Sequence, residues 1–289
     1  MMTTQLGDIA IQRILELEAP FVRPQEFFEA AVPEAVAPYR AWLEPHALDP
    51  KSGKMIIPVQ SYLLRTRHHT ILIDTCIGCR KTYNGRPEWR DRRDESWLRN
   101  LTAAGVDPAD IDYVFCTHLH LDHCGWNTRL VDGRWVPTFP NAKYILSKGE
   151  YAASEAAGTA VFVENILPVM EAGQAQLVDN DFALDDEIWL TPTPGHTANH
   201  VAVNIASQGA RAVMTGDLIH HPLQLAHPEW SANVDNNQAL SAATRQTFLD
   251  GHCETDILVL TAHFPSPSLG HVVGHAERPF DFAFLGAAR

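Results

Sequence analysis

The apolar run Tyr113-Val114-Phe115-Cys116 leads straight into Thr117-His118-Leu119-His120-Leu121-Asp122-His123-Cys124-Gly125. This join constrains the fold more than any other stretch. A strand sends alternate residues to one side, so His118 and His120 point together as the strand ends. The Asp122-His123 pair that follows lets the chain turn and offer two more donors a few ångströms away. Three imidazoles and a carboxylate thus fall within six residues. Neutral imidazole and carboxylate suit zinc and similar divalent metals. Neither core packing nor a solvated surface accounts for four donors at this density. The fold has to stop a buried strand at a metal site.

A faint internal repeat sets the rest of the architecture. Residues 59 to 75 read as a hairpin that ends on Asp74, with a polar turn through His68 and His69. Residues 200 to 217 repeat the theme, with a turn at Gln208-Gly209 and Asp217 at the end. In each, a strand pair closes on an aspartate at the edge of a buried strand. Two such halves predict two facing sheets, with acidic residues gathered at one end. Trp97, Leu98, Leu101 and Ala104 mark a helix that Gly105 stops. Lys143 to Leu146 and Trp189 to Thr191 read as strands, residues 148 to 173 as one or two helices. Leu240, Ala243, Thr247 and Phe248 predict a late amphipathic helix. Asp256 to His263 reads as a buried strand ending in histidine. No linker divides the chain, so one α/β domain of αββα type is expected over residues 1–289. Residues 1–55 form an N-terminal extension suited to a lid or to a homodimer contact.

Charge excludes some partners. The formal net charge is −13 with a pI near 5.5, and a nucleic-acid partner would call for a basic face. Arg86, Arg90, Arg92, Arg93 and Arg99 are interrupted by Glu88, Asp91, Asp94 and Glu95, which reads as a solvated helix face of paired charges. No apolar run has the length of a membrane span. The first residues, Met1 to Asp8, lack a basic and apolar leader, and the five cysteines read as reduced thiols. The expectation is a cytoplasmic chain with no membrane partner. Cys76-Ile77-Gly78-Cys79 has no second pair and reads as small residues in a turn after a strand.

Three further donors sit where strands stop: His196 in Pro194-Gly195-His196, Asp217 in Thr215-Gly216-Asp217, and His263 after Ile257 to Ala262. Seven donors can hold two metals if one carboxylate is shared. At this point the chain resembles the metallo-β-lactamase fold superfamily, from about residue 57 to residue 263. His118, His120, Asp122 and His123 stand as its H-x-H-x-D-H signature, and Asp74, His196, Asp217 and His263 follow in the expected order. The resemblance implies a four-layer αββα sandwich and two zinc ions per chain, with manganese, iron or cobalt as substitutes. His118, His120 and His196 would hold one metal, Asp122, His123 and His263 the other, and Asp217 would bridge them. Asp74 would orient ligands. A hydroxide shared by two such metals is a nucleophile at neutral pH, and Asp122 could orient it and pass a proton to the leaving group.

Single positions separate the branches. His120 stands where flavodiiron-type relatives carry Glu, and Asp217 supplies a bridge that binuclear β-lactamases usually lack. The lactonase and organophosphate-hydrolase branch is the nearest match. Its acyl-homoserine-lactone lactonases commonly carry Tyr three residues beyond the bridging aspartate; here that residue is His220. His220 could hydrogen-bond the substrate carbonyl or the leaving oxygen. Phe21, Phe27, Phe28, Trp126 and Trp230 are candidates for an apolar cover, and Cys124 for a small filler. The expected activity is hydrolysis of a lactone or related small ester. Alternatives are a glyoxalase II-like thiolesterase, an organophosphate hydrolase, and a mononuclear iron persulfide dioxygenase using only His118, His120 and His196. A thiolesterase of that type would carry a basic C-terminal region, whereas Arg278 to Arg289 has two basic residues.

Overall fold

The computed structural model describes residues 3–83 and 87–286. Met1, Met2, Arg86 and Arg289, used above, lie outside the described residues. The chain gathers into two compact units that interleave along the sequence. The first takes Met1–Glu16, Val59–Leu184 and Ser207–Gly209; the second takes Leu17–Pro58, Asp185–Ala206 and Ala210–Arg289.

In the first unit the strands are β1 (Thr3–Leu6), β2 (Ile9–Val22), β3 (Met55–Arg65), β4 (Thr70–Ile73), β5 (Tyr113–Phe115), β6 (Thr128–Val131), β7 (Arg134–Pro137), β8 (Lys143–Ser147) and β9 (Ala175–Val178). β2 and β3 run on into the second unit. Seven of these strands form a mixed sheet in the order β1-β2-β3-β4-β5-β8-β9, and β6 and β7 make a separate hairpin. The predicted hairpin of residues 59 to 75 is the antiparallel pair β3 and β4. β4, β5, β8 and β9 are parallel to one another, which requires crossover connections. The helices Ser96–Ala103 and Lys148–Ala157 lie in two of those crossovers. Gly105 ends the first helix at φ +82°, the left-handed backbone that glycine adopts most cheaply. β5 is apolar at Val114 and Phe115, both buried, as a strand covered on two faces should be.

The second unit carries β10 (Ile188–Pro192), β11 (Val201–Ser207), β12 (Ala210–Met214), β13 (Leu258–Leu260), β14 (Leu269–Val273) and β15 (Asp281–Phe284), in that order in a six-stranded mixed sheet. β12 and β13 are parallel, whereas β10 and β11, β13 and β14, and β14 and β15 pair antiparallel. Part of the N-terminal extension is core here. Phe27, Phe28, Leu43 and Met55 are buried with Leu223 and Trp230.

Two expectations are corrected. The charged stretch after residue 86 is not one helix face: Pro87–Trp89 is a single tight turn, and the helix begins only at Ser96. Its charges do pair, Arg93 with Asp91 at 2.9 Å and Arg99 with Asp94 at 3.3 Å. The late helix exists as Gln238–His252, yet Leu240, Ala243 and Thr247 face solvent, and Ser241, Arg245, Phe248 and Leu249 are its buried residues. Apolar spacing misplaced the face because a fully buried arginine occupies its centre. Among the described residues, no helix is long and apolar enough to cross a membrane.

Candidate metal centre

Strand register places the first donor set. β4 and β5 are parallel with Ile73 opposite Phe115, so both strands stop side by side. Asp74 follows immediately, and its N–H donates to the Phe115 carbonyl at 2.8 Å. Its carboxylate accepts the Thr117 N–H at 2.8 Å and the Thr117 hydroxyl at 2.9 Å, and meets His123 Nδ1 at 2.8 Å. The Thr117 hydroxyl, having given its proton to Asp74, is left as acceptor to His118 Nδ1 at 3.1 Å. Both histidines are thereby held as Nδ1–H tautomers, an assignment inferred from their partners, which makes Nε2 the ring atom that could ligate a metal. The His118 ring lies 4.5 Å from that of His120 and 4.1 Å from that of His123. Asp122 Oδ1 is 3.9 Å from His123 Nε2. The four predicted donors are therefore together. Cys124 is buried and donates its thiol to the His120 carbonyl at 3.1 Å, the filler role expected of it.

The second set is built the same way. β12 and β13 are parallel with Met214 opposite Leu260, and Asp217 and His263 each lie three residues past that pair. His263 Nδ1 meets the Pro58 carbonyl at 2.8 Å, and its Nε2 is 3.0 Å from Asp217 Oδ1. His196 Nδ1 meets Asp235 Oδ1 at 2.8 Å, and its Nε2 is 3.3 Å from Asp217 Oδ2. Gly195, at φ +138°, is required before it: a Cβ there would come within 2.4 Å of the Ser241 backbone. His220 Nε2 is also 3.3 Å from Asp217 Oδ2. His200 Nε2 accepts the Asp217 N–H at 2.9 Å and fixes that turn.

The electrostatics of this second set test whether it suits a metal. A carbonyl can only accept, so His263 must carry its proton on Nδ1; Asp235 imposes the same on His196. Neutral, both rings would aim an Nε2 lone pair at an ionised carboxylate within 3.3 Å. That is repulsive unless a cation intervenes. The buried donors fit a divalent metal. Burial lowers the pKa of His220, against the pull of Asp217, and so favours the neutral ring near pH 7. Its Nδ1 makes no hydrogen bond among the described residues. It stacks 5.9 Å from the His263 ring, with the Phe27 ring edge-on at 5.2 Å.

Sequence reading missed Asp235 and His200. Asp235 sits in Asn233-Val234-Asp235-Asn236-Asn237, a polar run that signals only a turn. It lies close enough to His196 and His220 to form a third donor trio. Trp126 is corrected as a cover residue: it is buried, stacked 5.6 Å from Trp97, with its indole N–H turned to Glu16 at 3.0 Å. Phe27, Phe28 and Trp230 are packed together, with Phe21 partly buried against them.

Comparison with known proteins gives the family and the fold. The sequence profile of the metallo-beta-lactamase superfamily matches residues 56–275. An N-acyl homoserine lactonase of a Bacillus species is 26% identical over 202 residues, covering 65% of this chain and 75% of that protein. The crystal structure of AbOPH, a hydrolase in the beta lactamase superfamily, superposes with a TM-score of 0.82 at 21% identity over 99% of this chain and 98% of its own. AidC, a dizinc quorum-quenching lactonase in complex with a product, gives 0.80 at 22% identity over 100% of this chain and 98% of its own. At such identity the structures speak for the fold, an α/β arrangement of two mixed sheets with helices. β1 and β2 precede the matched segment.

Proposed function

This chain belongs to the metallo-beta-lactamase superfamily, and on that premise we propose that it is a dinuclear metal hydrolase that opens a lactone or a related small ester. The two donor sets form one centre in this reading. His118, His120 and His196 would hold one cation, Asp122, His123 and His263 would hold the other, and Asp217 would serve both. Zinc is the expected metal, with manganese, iron and cobalt as substitutes compatible with the same donors. The observation that carries the reading is Asp217, whose two oxygens each face a different histidine Nε2 within 3.3 Å. A carboxylate so placed is what two neighbouring cations require.

Bound there, a metal pair supplies Lewis acidity and a water acidic enough to ionise near neutral pH. The chain's own groups do the rest. Asp74, Asp235 and the Pro58 carbonyl keep His123, His196 and His263 in the ligating tautomer. Asp122, half-buried, keeps a second oxygen to take the proton from the attacking water and return it to the leaving alkoxide. Neutral His220 has one N–H; carried on Nδ1, which makes no hydrogen bond among the described residues, it can be given to the ester carbonyl or the leaving oxygen, whereas on Nε2 it would face Asp217 Oδ2 at 3.3 Å. Phe27, packed edge-on against it, keeps bulk water from that ring. The homoserine-lactone substrate named for the Bacillus relative favours a lactone over other esters. A mononuclear iron oxygenase would use only three of the seven donors and gives Asp122, His123, Asp217 and His263 no part.

The test is metal analysis joined to a hydrolysis screen. Zinc-replete protein is assayed on γ-lactones, aryl esters, phosphotriesters and glutathione thioesters. Two metals per chain and highest kcat/KM on the lactones are expected. One iron per chain with oxygen consumption would overturn the reading. Preference for a thioester or phosphotriester would keep the hydrolase and replace its substrate.

A further inference from the structure

The N-terminal strand β2 carries a buried carboxylate that neither the ligand set nor the family match includes. Glu16 is only 6% exposed, and it lies outside the matched residues 56–275. Its Oε2 accepts the Ile77 N–H at 2.7 Å and its Oε1 accepts the Trp126 indole N–H at 3.0 Å. Each donor belongs to a different loop. Ile77 stands three residues after Asp74, and Trp126 three residues after His123.

Those loops are stitched along their length. Thr75 N–H donates to the His123 carbonyl at 2.7 Å, Gly125 N–H to Cys76 at 2.7 Å, and Trp126 N–H to Thr75 at 2.8 Å. They approach so closely that a Cβ on Gly125 would lie 1.9 Å from the Ile77 carbonyl. The first loop is also strained, because Asp74 and Cys76 both hold positive φ, +57° and +53°, without being glycine. Such residues each cost on the order of 1 kcal/mol and persist only where surroundings enforce them. The conformation that aims Asp74 at His123 therefore needs an external brace, and Glu16 spans both loops at their far ends.

We propose that Glu16 is a positioning residue for the metal centre: by clamping Ile77 to Trp126 it sets the angle at which Asp74 meets His123, and through it the hold on one cation. The N-terminal strand thus has a part in the chemistry without touching substrate or metal. The inference rests on the metal-centre reading, and the experiment separates the two.

Cobalt-substituted protein is compared with Glu16→Gln, which keeps the size but turns an N–H donor toward one of the two N–H groups. Expected are a shifted visible cobalt spectrum, about 10- to 100-fold easier removal of one metal by a chelator, and a lower kcat at unchanged KM. An unchanged spectrum with wild-type chelator resistance overturns the proposal. If Glu16→Gln fails to fold cooperatively, Trp126→Phe decides, since it removes only the Oε1 partner: a smaller change in the same direction supports the clamp, and no change overturns it. A wild-type chain that binds no cobalt overturns the metal-centre reading, and this role with it.

Discussion

The parallel pairs β4/β5 and β12/β13 are built alike and use their carboxylates in opposite ways. Both end in a backbone bond across the pair, Asp74 N–H to Phe115 at 2.8 Å and Thr215 N–H to Leu260 at 3.0 Å. In the first, Asp74 comes directly after the strand. It is drawn into the backbone and meets the Nδ1 of His123. In the second, Thr215-Gly216 intervene, and Asp217 is carried out to face the Nε2 of His196, His220 and His263. On the proposed reading, a two-residue offset in one repeated unit is what separates a brace from a ligand. The second unit then needs another brace, and Asp235 supplies it on His196. The underlying supports differ as well. Glu16 accepts beneath the first set, whereas Arg245 donates to the Leu218, Pro228 and Trp230 carbonyls of the second unit.

The largest expected effect breaks the comparison at the proposed ligand. Asp217→Asn keeps the shape and removes the charge. It should cost about 10³-fold in kcat/KM, several kcal/mol of lost charge stabilisation, and one of the two metals. If steady-state kinetics and metal analysis found Asp217→Asn no worse than Asp74→Asn, the distinction between ligand and brace would collapse.

The two braces give the next effect. Asp74→Asn and Asp235→Asn should each weaken metal retention or activity by about 10- to 100-fold, the usual consequence of losing an outer partner of a ligating histidine. Their signatures should differ, since one frees the ring of His123 and the other that of His196. Chelator competition followed in each variant reads this as loss of different cations. Loss of the same cation from both would refute the assignment of His123 and His196 to separate metals.

Much of this comparison could be read from the chain because the proposed ligands sit at strand ends. Apolar strands announce themselves, and a histidine or aspartate just past one is conspicuous: His118, Asp217 and His263 all stand so. Asp74 was legible for the same reason. Asp235 was not, because it lies in a loop and reaches His196 across 39 residues, a distance no local pattern spans. Arg245 escaped for a different cause. Buried polar side chains satisfied by carbonyls leave no apolar period, so the face of the helix Gln238–His252 was read on Leu240, which is exposed. Glu16 and Trp126 combine both difficulties, being a charged residue in a strand and an aromatic whose only polar atom is used in the core.

The supports give the smallest effect and separate the units by pH. Burial pushes the Glu16 carboxyl up to about 7, against the pull of Arg92 and the N–H groups it accepts; burial lowers Arg245 to about 10. Between pH 4.5 and about 7 the folded chain keeps a proton on Glu16 that the unfolded chain has released. Stability from this group is thus complete below pH 4.5 and is lost as pH rises through about 7. The slope is at most about 1.4 kcal/mol per pH unit. Arg245 stays charged throughout that window and adds nothing to it. Denaturant unfolding of metal-free protein at pH 5 and pH 8 should therefore show a decline that Glu16→Gln flattens. Parallel declines in the two proteins would mean that the carboxyl is ionised in the fold across the whole range, held so by its two N–H partners, and that the contrast between the supports is one of geometry alone.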